Sequence, residues 1–403
     1  MLVPKLRFKR EDGTDYPEWR GTSFGETCSG FEYGMNTAAC DYDGANKYIR
    51  ITDIDDTSRR YLSENAVSPK GNMQDKYIVN PNDILFARTG ASVGKAYLYK
   101  DTDGLLYYAG FLIRANVNAD ANAYFVFSQT LTADYWNWVK LTSMRTGQQG
   151  INAQEYKGYK YNAPCLEEQQ KIADFLSAVD EVIAQSEAEV QNLEQQKKAA
   201  MQKIFSQEVR FKREDGTDYP EWESVSFGSL IIEYRHRTSV ENEDVLLSSA
   251  INGMFLNTEL FGHQRGKSNI GYLKIDYGTL ILSAQNLHLG NANVNLRFEH
   301  GIISPAYKTY HITNCNVLFM AQWIKREETN QFFYDATTVG ASQCRRNVDW
   351  NALYEQRILL PHIEEQQKIA GFLSAYDEAI RYAKQELDKW KELKKGLLQQ
   401  MFV

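Results

Sequence analysis

Apolar or small residues recur at Ile172, Leu176, Val179, Ile183, Ser186, Val190, Leu193, Ala200 and Ile204, in alternating steps of four and three. Lys197 is the one charge that stands in this series. A seven-residue apolar repeat held this long is the mark of a coiled-coil seam. The run from Glu167 to Phe205 contains no Pro and no Gly, so nothing in it breaks a helix. A constant shift of 197 residues carries the series onto Ile369, Leu373, Tyr376, Ile380, Ala383, Leu387, Trp390, Leu397 and Met401, with Lys394 in the place of Lys197. Two such helices in one chain are natural partners, and an antiparallel pair is predicted.

Outside the helices the pattern shortens to strand length. YIRITDID (48–55), DILFART (83–89), KAYLYK (95–100) and YAGFLIRA (108–115) read as strands, and Tyr124–Leu141 as a helix. Farther on, VLLSSAI (245–251), GTLILSA (278–284), ANVNLRF (292–298) and AYKTYHIT (306–313) are strand candidates, and residues 316–334 a helix. Both blocks are preceded by RFKREDGTDYPEW, at 7–19 and without a change at 210–222. Each is followed by EEQQKIA, at 167–173 and 364–370. The chain is therefore a duplication with a circular order of brace, block and helix, and the first brace is expected beside Met401-Phe402. The predicted divisions are 1–162, a first globular block; 163–207, a helix; 208–361, a second block; and 362–403, a second helix.

Composition changes this picture little. The formal charge is −7 over 403 residues; the first block is balanced at 19 basic and 19 acidic side chains, while 163–207 holds 4 against 8. Such a balance gives no support for nucleic-acid binding and does not exclude it where basic residues gather on one face. Cys28, Cys40, Cys165, Cys315 and Cys344 are scattered, with no C-x-x-C pair for zinc. There is no apolar stretch of transmembrane length and no apolar segment of a signal peptide in MLVPKLRFKRED. A cytoplasmic protein with free thiols and no membrane partner is expected.

Motifs for catalysis are missing where they would be sought. GASVGK (90–95) is one residue short of a phosphate-binding loop and has Ala96 where the metal-binding hydroxyl belongs, so a turn with a basic tip is expected. Asp53, Asp55 and Asp56 lack the Glu and Lys partners of a nuclease site, and the six histidines are spread singly. No cofactor or metal site is assigned to this chain. Loops that mix Arg with amides and hydroxyls supply both phosphate ligands and base-edge readers. In the first block these hold Arg88, Thr89, Ser92 and Lys95, then Arg145, Gln148 and Gln149. In the second they hold Arg235, His236 and Arg237; Arg265 and Lys267; Ser283, Gln285, Asn286 and His288; and Gln343, Arg345 and Arg346.

With the doubled brace, DILFARTGASVGKA (83–96), HGIISPAYKTYHI (300–312) and the doubled P-x-x-EEQQKIAxFL (164–176, 361–373), the chain resembles the specificity subunit of type I restriction–modification enzymes. The resemblance covers essentially the whole length. It implies an α+β fold: two α/β target-recognition domains separated by a pair of long antiparallel coiled-coil helices, internally duplicated with pseudo-two-fold, circular organisation. It also implies a non-catalytic subunit that reads a split, asymmetric site in double-stranded DNA. Two modification subunits carrying S-adenosylmethionine would dock on the helical spacer, and restriction subunits using ATP and magnesium would join them. Gln169, Gln170, Gln366 and Gln367, in the duplicated helix starts, are the candidates for docking. Two alternatives stay open: a DNA-recognition scaffold of another multisubunit defence or bifunctional restriction system, and an autonomous nuclease or methyltransferase.

Overall fold

The computed structural model describes residues 4–144, 148–262, 268–342 and 345–402, with backbone alone at 339–342 and 345. The chain forms two compact units, Met1–Ala188 with Lys384–Val403, and Glu189–Ala383.

In the first unit, β1 (Arg20–Ser23) follows the brace. A four-stranded antiparallel sheet is then built from β2 (Cys28–Tyr33), β3 (Asp83–Ala87), β4 (Ala96–Leu98) and β5 (Leu112–Val117), in the order β2-β5-β3-β4. The central strand β3 is buried along its whole length, as the apolar run in DILFA dictates. YAGFLIRA is not one strand, because Leu106–Tyr108 and β5 are separated by a turn at 109–111. The helical stretch is also two elements, α1 (Ala123–Gln129) and α2 (Ala133–Thr142). The side chains of Asn122 and Thr132 cap them by accepting from Phe125 N and Tyr135 N, and the second cap is what restarts the helix. After α3 (Ala153–Lys157), strand β6 (Lys160–Ala163) pairs antiparallel with β1 and leads into α4 (Leu166–Phe205).

The second unit repeats this frame. Strand β7 (Glu223–Ser226) follows the second brace, and the sheet comprises β8 (Ile231–Tyr234), β9 (Leu280–Ser283), β10 (Ala292–Val294) and β11 (Tyr307–Ile312). Their order, β8-β11-β9-β10, is that of the first unit. The helical stretch is again broken, into α5 (Val317–Trp323) and α6 (Glu327–Asp335). A hairpin of β12 (Thr337–Ser342) and β13 (Arg345–Val348) and a short α7 (Trp350–Glu355) follow. Strand β14 (Arg357–Leu360) pairs with β7 and leads into α8 (Ile363–Met401).

Seam residues Ile172 and Leu176 join the first core with Trp19, Phe24, Met401 and Phe402; Ile369, Leu373 and Ile204 join the second with Trp222 and Phe227. Full burial of each such side chain contributes about 1.5–3 kcal/mol. Within the first unit Lys394 pairs with Asp180 and Lys391 with Glu187, so numbers fall on α8 as they rise on α4 and the pairing is antiparallel. The first brace does meet the end of α8: Trp19 packs edge-on to Phe402, and Leu6 N, just ahead of the brace, donates to Gln400 O at 3.0 Å.

The two middle residues of the duplicated EEQQ turn out to be internal fastening. Glu168 and Glu365 are fully buried and accept paired hydrogen bonds from Arg7 (2.7 and 3.0 Å) and Arg210 (2.9 and 3.2 Å) of the braces. The buried carboxylate is tolerable because the guanidinium fork satisfies both oxygens, and it holds each arginine above its ordinary pKa. The amides of Gln169 and Gln366 donate to Pro164 O and Pro361 O, and accept from the backbone N–H of the helix caps Asn122 and Asn316. Only 5% and 1% exposed, these two glutamines are corrected from docking candidates to links between long helix and globular domain. Gln170 and Gln367 are exposed.

Candidate nucleic-acid interface

The two loops of the first domain singled out above come together. Residues 88–95 form the tip between β3 and β4, and Gln148 to Ile151 run alongside it. Thr89 bridges Gly150, Gly90 N donates to Gln149 O at 3.1 Å, and Ile151 N donates to Arg88 O at 2.9 Å. Gln148 and Gln149 are exposed there, and Ser92 is half-buried. Arg145 lies outside the described residues.

Lys95 requires a correction. It is 4% exposed, and its Nζ donates to Ile54 O and Asp56 Oδ1, each at 2.8 Å. An ammonium drawn inside must be paired, and this one is a strut, so the tip is not basic there. The three aspartates considered for catalysis are likewise structural. Asp56 holds Lys95, which keeps its carboxyl below the usual range. Asp53 takes the Arg50 fork at 2.7 and 2.8 Å, and Asp55 accepts from Thr57 N, Ser58 N and the Ser58 hydroxyl.

Beside the tip opens a cleft of about 670 Å³, bordered by Tyr33, Arg50, Thr52, Thr89, Phe111 and Gln148. Arg88 enters it with its guanidinium 5.0 Å from the Tyr33 ring and 5.8 Å from that of Phe111. The rings hold the plane of the cation, and Nε is buried without a hydrogen-bond partner among the described residues. Phe111 is 60% exposed and Tyr33 44%, so two large rings remain at the mouth. This gives the domain a planar donor held against two rings beside exposed amides. Sequence reasoning missed both rings; the available signal was Gly110-Phe111, a glycine and a large aromatic inside an apolar run.

In the second domain the matching tip, between β9 and β10, carries Gln285 and Asn286 exposed and His288 half-buried, while the buried Ser283 accepts from Asn286 N. Farther along the same domain, Arg235 is spent on Glu233, Arg237 donates to Gly271 O, and His236 is exposed. Arg346 lies 3.9 Å over the Tyr334 ring and donates twice to Thr337, so it braces the β12–β13 hairpin. Arg265, Lys267 and Gln343 lie outside the described residues, as does the side chain of Arg345.

The frame and its tips define a class: a protein of two related recognition domains on paired helices, with polar, amide-rich loops that differ between the domains. The family profile described as the type I restriction modification DNA specificity domain matches twice, at 35–195 and 196–391, and the chain belongs to that family. It is a specificity subunit that recognises DNA sequence, and not the catalytic subunit of its system. The chain is 24% identical over 367 residues to the type I restriction enzyme MjaVIII specificity subunit of Methanocaldococcus jannaschii, covering 85% of this chain and 83% of that one. It has the fold of the type I restriction-modification S subunit from M. genitalium, with a TM-score of 0.60, 14% identity and coverage of 100% and 99%. A chain from a structure concerned with complex assembly and conformational transition of the type I R-M system matches with a TM-score of 0.53, 17% identity and 96% of each chain. Among the described residues no helix is long and apolar enough to cross a membrane.

Proposed function

We propose that the two recognition domains read the two halves of a split, asymmetric DNA site, and that the paired helices fix the gap between the halves. One observation carries this reading: both domains have the same strand order and the same closing strand pair, yet the corresponding tip loops differ, RTGASVGK at 88–95 against AQNLHLGN at 284–291. A shared frame with different tips suits two readers of different sequence, and a helix of set length turns half-site spacing into geometry. Two modification subunits would dock on equivalent surfaces of the two units, supply S-adenosylmethionine and methylate an adenine in each half-site. Restriction subunits would bring ATP and magnesium. The support for two equivalent docking places is that large apolar side chains stay exposed to the same degree in both copies of the helix start: Leu166 43% and Ile363 44%, Phe175 39% and Phe372 41%. Mapping methylated adenines in cells that carry the complete system, with the native mass of the complex, tests both parts. A two-part motif with a constant gap and two modification subunits per chain is expected; a contiguous palindrome would overturn the reading.

A further inference from the structure

Lys197 and Lys394 occupy seam positions, where a charge weakens an apolar contact. Each finds one partner on the opposite helix. In the second unit Lys197 Nζ lies 2.6 Å from Asp377 Oδ1, and in the first Lys394 Nζ lies 2.6 Å from Asp180 Oδ1. The lysine side chains are only 16% and 17% exposed. In both units the other carboxylate oxygen is taken by the recognition domain: Gln322 Nε2 donates to Asp377 Oδ2 at 2.7 Å, and the Tyr124 hydroxyl donates to Asp180 Oδ2. These third members are not copies of each other. The caps Asn122 and Asn316 align the domain helices, so that Tyr124 corresponds to Leu318 and Gln322 to Ser128. The same aspartate oxygen is reached from a different turn by a different group. The contact has been kept while the residue making it has not, which duplication alone does not account for.

Lys394–Asp180 is largely buried, whereas Asp377 is 49% exposed beside its buried lysine, and such pairs stabilise little compared with an apolar pair of the same size, because desolvation or solvent screening offsets the attraction. What they do well is reject wrong registers: sliding the helices by a turn leaves a buried cation and a carboxylate without partners, as a lone polar residue does in a coiled coil. We infer that Lys394–Asp180–Tyr124 and Lys197–Asp377–Gln322 are positioning triads that hold helix register and the seat of each recognition domain on its helices, and thereby restrict recognition to a single half-site gap. This rests on the reading of a split site.

The test uses the complete methylating complex. Lys197→Leu, Asp377→Leu, Lys394→Leu and Asp180→Leu are combined in one variant, and the first two alone make a second. Both should assemble and melt only modestly below the wild-type temperature, since the apolar pair offsets the lost ion pair while Gln322 and Tyr124 lose an acceptor. Both should also methylate sites whose gaps are about one to two base pairs shorter and longer, a helical turn of about 5.4 Å against about 3.4 Å per step, which the wild type leaves unmodified. A single unchanged gap in both variants would overturn the inference, as would a collapse of the melting temperature in both, which would make the triads ordinary supports. A wild-type map without any split motif would instead remove the reading on which the inference depends.

Discussion

Arg88 and Lys95 stand seven residues apart in one loop, and burial decides their different uses. The ammonium of Lys95 is a compact cation with three donors, and carbonyl and carboxylate oxygens draw it inward. The guanidinium of Arg88 is planar, so the rings of Tyr33 and Phe111 can hold it while it keeps donors for another partner. A fork held in this way suits the edge of a guanine, where a bidentate contact discriminates against the wrong base by about 1–3 kcal/mol. Arg88→Ala in the complete complex should therefore relax selection at one base pair of one half-site, and Arg88→Lys should not restore it. Competition between duplexes differing at single positions reads this directly. Uniform weakening across all sequences would mean that Arg88 serves a phosphate instead. Nothing in the residue letters separates Arg88 from Lys95, since both sit in a short polar loop and only the fold says which one faces inward.

At the scale of elements, the seam was the most legible part. A strict repeat over many turns leaves one face to bury, and the positions it names are the buried or half-buried ones along α4 and α8. The breaks after α1 and α5 were hidden, because Thr130 to Thr132 and Ile324 to Arg326 continue a helical pattern in sequence; the Thr132 side chain caps the first restart, while α6 starts after Arg326 without a capping side chain. The buried role of Gln169 and Gln366 was hidden too, since a polar pair in the first turn of a helix reads as surface. A smaller repeat, SFG at 23–25 and 226–228, shows how packing sets the residue. A Cβ on Gly228 would lie 2.7 Å from Tyr354 Cβ and 3.0 Å from its carbonyl oxygen, in the seat of α7. On Gly25 it would meet the equivalent short helix, at 2.5 Å from Lys157 Cγ and 3.0 Å from its carbonyl oxygen. Gly228→Ala and Gly25→Ala should each cost about 1–3 kcal/mol, as overpacking of a tight contact does. Calorimetric melting of the two variants checks this, and an unchanged melting temperature in either would contradict it.

For the whole molecule, the informative feature is that the boundary between the compact units falls within each long helix and not between a domain and a helix. Each unit owns the start of one helix and the end of the other, so α4 and α8 are shared structure and cannot be changed singly without disturbing the register inside a unit. A matched deletion can be made: residues 185–191 of α4 together with 382–388 of α8 remove one heptad from each and leave Asp180, Lys197, Asp377 and Lys394 in place. Each helix would shorten by about 10 Å, which corresponds to about three base pairs of duplex at 3.4 Å per step. Because a heptad is close to two whole turns, the seam stays facing its partner and both cores keep their helix residues. The deletion variant should therefore fold and assemble, and its methylated motif should keep both half-sites at a shorter gap, or be lost where the DNA cannot twist to match. Deleting either heptad alone should abolish recognition and lower stability, since the lysine–aspartate pairs of both units can no longer form together. A matched deletion that left the gap unchanged would mean that something other than the helices measures the distance.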